Sequence, residues 1–283
     1  MTVLRQKMID AMLVRGFSVR THRSYLDAVS RLAKYYRRPP DQLSGEELQA
    51  FFLYLAKDCG LSGATCRLYL NAIRFFYLQV LGRDSFGVTL AVPKRAQRIP
   101  ELLTRGEVGR LLLVCRNLKH RMVLTTCYGC GLRVSELVAL KVRHIDGERH
   151  LLRVEQGKGA RDRHVILPDT LLRLLRSYWQ VMRPPEWLFP GREMTTPLSL
   201  TSVQKAFTAA KRRAGIDKVG GIHALRHAYA THQLEAGMPV HQLQRLLGHQ
   251  DIHSTLRYVH WIPDYREGGS GADLIAGLEV GHG

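Results

Sequence analysis

Between Gly82 and Pro100 the chain loses the helical periodicity that runs before and after it. Gly82, Gly87, Pro93 and Pro100 interrupt any regular element there, and Lys94, Arg95 and Arg98 make the stretch basic. A loop of about 18 residues is rare inside one compact domain. Residues 83–100 therefore read as a basic linker between two separately folded parts, 1–82 and 101–267, followed by a Gly-rich link and tail over 268–283. At 283 residues and 45% apolar content the chain has material for two cores, which argues against wholesale disorder.

Residues 1–82 read as helical throughout. Met8, Met12 and Leu13, then Tyr25, Val29, Leu32 and Tyr36, recur at three- and four-residue spacing. Arg37-Arg38-Pro39-Pro40 breaks the pattern. Ser44 with Glu47 forms a capping box that opens a third helix through Leu55, which Cys59-Gly60 ends. Ser62 starts a fourth, with Leu68, Ala72, Phe75, Phe76 and Leu78 as its apolar stripe. In the larger part Thr104 with Glu107 is a second capping box. Short β-prone pieces follow at Val142–Ile145, Leu151–Glu155 and His164–Leu167, with turn signals at Asp146-Gly147 and Gly157-Lys158-Gly159. After Pro168 the pattern is helical again. The expected fold class is mainly α with a small antiparallel β-sheet, in two domains.

Lys and Arg number 42 against 24 Asp and Glu, a formal charge of +18 that repels itself unless a polyanion neutralises it. Nucleic acid is the commonest such partner. No apolar run is long enough to span a membrane, and Met1 to Asp10 lacks the unbroken apolar stretch of a signal peptide. The five cysteines have no framework spacing, which fits a reducing cytoplasm.

Five signals bear on chemistry. Arg133, after the Gly129-Cys-Gly131 turn, stands three residues before Glu136, and its planar fork suits a phosphate. Standing alone, the pair would read as an ordinary intrahelical ion pair. Lys158 lies at a predicted hairpin tip, where an amine can donate a proton to a leaving oxygen or simply be solvated. His223 and Arg226 share a helical face and offer an imidazole for proton transfer and a second guanidinium. His249 follows Gly248 at a helix end. Tyr258 stands nine residues later. A free phenol ionises near pH 10, so two arginines and a base would have to activate it. His223, His227 and His232 lack a Cys or carboxylate partner at ligand spacing, so no metal site is expected. Cys127 and Cys130 read as structural.

In order and spacing, the series Arg133, Lys158, His223-x-x-Arg226, Gly248-His249 and Tyr258 resembles the tyrosine recombinase and phage integrase family. So do the flanking runs Gly131-Leu-Arg-Val-Ser-Glu-Leu137, Leu225-Arg-His227 with Ala230-Thr-His232, and Leu247-Gly-His249. The likeness extends over the whole chain and is nearest to compact Xer-like and transposon-borne members. The interval from Pro168 to His223 leaves little room for the extra stretch of integron integrases, and His253 stands where Ser or Thr is usual.

The resemblance implies a SAM-like core-binding domain ahead of a mixed α/β catalytic domain. It implies that Tyr258 attacks a scissile phosphate to give a 3′-phosphotyrosyl bond. Arg133, Arg226 and His249 would hold the phosphate oxygens, Lys158 would protonate the 5′-oxygen, and His223 would take the tyrosine proton. Glu136 would support Arg133. No cofactor or metal is implied. The partners would be double-stranded DNA with specific recombination sites and a homotetramer on it, in the cytoplasm at the nucleoid. Independently of the resemblance, the short apolar segment 274–280 on its Gly-rich tether from 268 reads either as a piece that docks on a neighbouring protomer or as a frayed terminus. A type IB topoisomerase or a DNA-binding regulator on a decayed scaffold are the rival readings.

Overall fold

The computed structural model describes residues 2–88, 100–155, 162–262, 265, 268 and 271–278. The chain divides into two compact units, Met1–Arg98 and Ile99–Gly283.

The first unit is helical. Helix α1 (Val3–Val14) buries Met8 and Met12, one turn apart, while Leu13 is exposed. Helix α2 (Val19–Tyr36) starts where the Ser18 hydroxyl accepts from the Thr21 amide, and it buries Ala28, Val29 and Leu32. It stops at Arg37, which takes a left-handed backbone ahead of the two prolines. The expected capping box opens α3 (Gly45–Lys57): Ser44 N donates to Glu47 Oε2 at 2.9 Å, and Glu47 N donates to Ser44 Oγ at 3.2 Å. Helix α4 (Gly63–Phe75) starts at Ser62 and runs on into a π-turn over Phe76–Val80. Its buried side is Cys66, Tyr69, Ala72 and Ile73; Leu68, expected inside, lies on the exposed face. Arg83 and Phe86 belong to this unit. Arg83 Nη1 donates to Leu43 O at 3.3 Å, and the Phe86 ring packs 5.9 Å from that of Tyr77.

In the second unit the Thr104–Glu107 capping box opens α5 (Arg105–Leu113). Helix α6 (Leu118–Cys130) is buried continuously from Met122 to Cys130 and forms the unit's spine. It ends at Gly131, whose left-handed φ of 59° turns the chain into α7 (Val134–Val138). Strands β1 (Ile145–Asp146), β2 (Leu151–Val154) and β3 (Arg163–Ile166) make an antiparallel sheet in that order, with Leu152 opposite Val165 and Val154 opposite Arg163.

Two local expectations change. Val142–His144 is a single 3-10 turn, because the buried His144 ring folds back to accept the Lys141 amide at 3.1 Å. The Asp146-Gly147 turn is wider than a two-residue hairpin. The Asp146 carboxylate accepts from the Glu148 and Arg149 amides, and His150 takes the left-handed position.

Helices α8 (Asp169–Met182), α9 (Leu200–Arg213), α10 (His223–Glu235), α11 (Val240–Leu247) and α12 (His253–Val259) complete the unit. In the single chain, residues 271–278 of the tail pack on their own unit. Gln233 exchanges two 2.7 Å hydrogen bonds with the Ala272 backbone, and Leu274 and Ile275 are buried. Gly129 makes the room, since a Cβ there would stand 3.0 Å from Leu171 and 3.1 Å from Ile275. No helix among the described residues is long and apolar enough to cross a membrane.

Gly131 combines two constraints. A Cβ would lie 2.3 Å from the Tyr229 ring, and the left-handed backbone disfavours any side chain. Gly131→Ala should cost roughly 2–4 kcal/mol, the sum of strain and overpacking, read as a lower urea midpoint with unchanged slope.

Candidate active site

Arg133 caps α7 in extended backbone, and Glu136 sits at that helix's third position. This spacing folds the carboxylate back on its own partner. Arg133 N donates to Glu136 Oε2 at 2.8 Å and Arg133 Nη1 to Oε1 at 2.7 Å. The other terminal nitrogen, Nη2, reaches Gly248 O at 3.2 Å, at the end of α11.

Glu136 is only 5% exposed and holds a second guanidinium that sequence reasoning missed. Arg163 Nη1 and Nη2 grip its two oxygens at 2.9 and 2.8 Å, while Arg163 Nε donates to Leu246 O at 2.9 Å. The signal for Arg163 was present: it shares the inward face of β3 with buried Val165, and an inward arginine needs an acid. Burial pushes the Glu136 carboxyl up, but the hydrogen bonds and charge of Arg163, joined by Arg133, outweigh this and hold it at about 2.

Arg226 projects from α10 and is 4% exposed. Its Nη1 donates to Gly131 O at 2.6 Å, and its Nη2 donates to Leu247 O at 2.7 Å. Burial, then the charge of Arg133, lowers it to about 10, so it remains a cation at neutral pH. Arg226 Nη2 also lies 3.1 Å from His249 Nε2. A guanidinium only donates, so Nε2 accepts, and Nδ1 carries the ring hydrogen toward Thr255 Oγ1 at 2.8 Å. Burial and the surrounding arginines, Arg226 first, lower His249 to about 3, so the ring is neutral. Thr255, completely buried one turn before Tyr258, was not singled out in the sequence.

Tyr258 is 4% exposed and belongs to the same cluster. Its ring stacks on that of His249, 6.3 Å between centroids and 8° between planes, with the Trp261 edge 5.1 Å away. Burial raises the phenol's pKa, and Arg226, Arg257 and Arg133 pull it back down. The sequence reading gives the tyrosine proton to His223. In the structure the imidazole on the hydroxyl is His227, its Nδ1 3.0 Å from Tyr258 Oη. His223 is exposed at the first turn of α10. Lys158 lies outside the described residues.

His232 serves the core, its Nδ1 2.8 Å from Tyr128 Oη. Cys127 and Cys130 are free and buried, and burial raises both thiols, Cys127 to about 12, where they are inert. Among the described residues no group of three or more His, Cys, Asp or Glu could hold a metal ion.

One chain thus brings two guanidiniums, a neutral imidazole and a phenol to one place, a donor set suited to a phosphodiester under attack by tyrosine. Comparison with known proteins agrees. Residues 101–263 match the phage integrase family, and residues 4–85 match the N-terminal SAM-like domain of phage integrases. An integrase/recombinase of Sinorhizobium fredii is 42% identical over 260 residues, 92% of this chain and 84% of that protein. The tyrosine recombinase XerA of Thermococcus onnurineus is 34% identical over 271 residues, 94% of this chain and 93% of its own. Among solved structures, a lambda integrase dimer bound to a COC′ core site has the same fold at a TM-score of 0.74 and 18% identity, covering 90% of this chain and 97% of that one. The chain belongs to the phage integrase family and is a tyrosine-type site-specific recombinase acting on DNA.

Proposed function

We propose that this protein cuts and rejoins paired sites in double-stranded DNA, in four protomers, through a 3′-phosphotyrosyl intermediate and a Holliday junction. The observation that carries the reading is the placing of Tyr258 within one chain's own cluster of Arg226, His249 and His227. Tyr258 Oη attacks the phosphorus. Arg133 and Arg226 hold the non-bridging oxygens, with Arg133 aimed by Glu136, and His249 donates to them only once the phosphate takes Arg226 from its Nε2 and that nitrogen gains a proton. Lys158 protonates the departing 5′-oxygen. His223 stands at the edge of the cluster, on the helix that carries Arg226. One phosphoester replaces another, so the energy of the cut bond is kept for rejoining. Removal of one such preorganised donor typically costs about 10²–10³ in rate. The lambda integrase structure is a dimer on its core site, which supports assembly of several subunits on DNA.

The test is a plasmid carrying two direct copies of the site found by footprinting at the protein's own locus. Resolution into two circles is expected. Relaxation of supercoils on any plasmid, with no resolution, would return the type IB topoisomerase reading.

A further inference from the structure

Within the recombinase reading, we propose that His227 is the catalytic base, taking the proton of Tyr258 as the phosphotyrosyl bond forms. The contact is direct: Nδ1 stands 3.0 Å from the attacking oxygen, within reach of a proton transfer. The two rings are held by a shared neighbour. The edge of Trp261 meets His227 at 5.9 Å and Tyr258 at 5.1 Å between centroids. His249, the other imidazole against Tyr258, is already committed to Arg226 and Thr255 through both nitrogens. His223 makes no described hydrogen bond to the hydroxyl, and it lies one turn nearer the start of α10.

Charge supports the same assignment. Burial, then His223, Arg226 and Arg257, lowers His227 to about 4, so at neutral pH its ring is unprotonated and can accept. The arriving phosphate offsets these cations and favours the imidazolium that forms. In the forward step the Tyr258 O–H bond breaks, its proton goes to His227 Nδ1, and its electron pair forms the O–P bond. The P–O5′ bond breaks, and the 5′-oxygen leaves with a proton from the general acid. On rejoining, the imidazolium returns its proton to the phenolate.

The experiment measures covalent adduct formation on nicked suicide duplexes carrying the site that the wild-type protein selects from random-sequence DNA. His227→Gln retains a hydrogen-bonding side chain but cannot take up the proton. It should bind this duplex as the wild type does and form adduct about 10²-fold more slowly or worse. Replacing Tyr258 with a fluorinated tyrosine, whose phenol is more acidic, should return much of that loss, since an ionised nucleophile needs no base. Free imidazole should restore His227→Ala in proportion to its concentration. The proposal is overturned if His227→Gln forms adduct at the wild-type rate, or if its loss is untouched by fluorination. A loss relieved by fluorination in His223→Gln, and not in His227→Gln, overturns it in favour of His223. No adduct from the wild type would instead count against the recombinase reading itself.

Discussion

Tyr258→Phe should bind its DNA site with wild-type affinity and form no covalent adduct. The substitution removes one oxygen and no charge. The formal charge of +18 is unchanged, as are the guanidiniums that would meet the backbone. The ring keeps its stack on His249 and its edge contact with Trp261. The hydroxyl's one described hydrogen bond, to His227, should be worth about 1 kcal/mol, so the fold survives. Chemistry alone should vanish, because the cluster's other hydroxyl, that of Thr255, is completely buried and engaged with His249 Nδ1. Gel shift and denaturing gel on the same suicide duplex give the two readouts. An adduct in the mutant would remove Tyr258 from its role.

The second large effect is expected at Glu136. Its carboxylate bonds Arg133 and Arg163 and lies 3.9 Å from Arg226. Glu136→Ala leaves those three cations facing one another without their anion, as breaking a buried ion network does. It should cost roughly 3–5 kcal/mol of stability as well as adduct formation. Glu136→Gln preserves the shape and isolates the charge. The sign of its pH dependence follows from the depressed carboxyl. Arg163 and Arg133 hold folded Glu136 at about 2, well below the ordinary glutamate range, so its contribution is complete above that ordinary, unfolded value. It is lost as pH falls through that window toward 2. That contribution is on the order of 3 kcal/mol. Urea melts should therefore show a wide gap between wild type and Glu136→Gln at pH 7 that narrows near pH 3. A gap independent of pH would mean that the carboxylate's charge contributes nothing.

Much of this was legible in the chain itself. Capping boxes at Ser44 and Thr104 are local chemistry, written in a few adjacent residues, and the structure has them where the spacing puts them, whereas the turn expected over Gly129–Gly131 comes only at Gly131, with Gly129 and Cys130 still in α6. The order of Arg133, His223-x-x-Arg226, His249 and Tyr258 announced a phosphate site before any geometry. What the sequence hid is long-range choice. Whether His223 or His227 meets the phenol depends on how α10 is rotated against α12, and one turn separates the two candidates. Arg163 and Glu136 are 27 residues apart, so their bidentate pair required the sheet to form first. Val142–His144 became a 3-10 turn because a histidine ring competed for the backbone, a preference that β-branched composition does not show. The seat of Leu274 and Ile275 was not legible either, because the space over Gly129 exists only once α6 and α8 have packed.

The account rests on one atom, the Tyr258 oxygen, and the most direct measurement is mass spectrometry of the trapped adduct. Trypsin should release residues 258–266, cut after Arg257 and Arg266 and containing both Tyr258 and Tyr265. Fragmentation of this peptide should place the 3′-phosphonucleotide on Tyr258. A nucleotide on Tyr265, or on any other residue of the chain, would contradict the account.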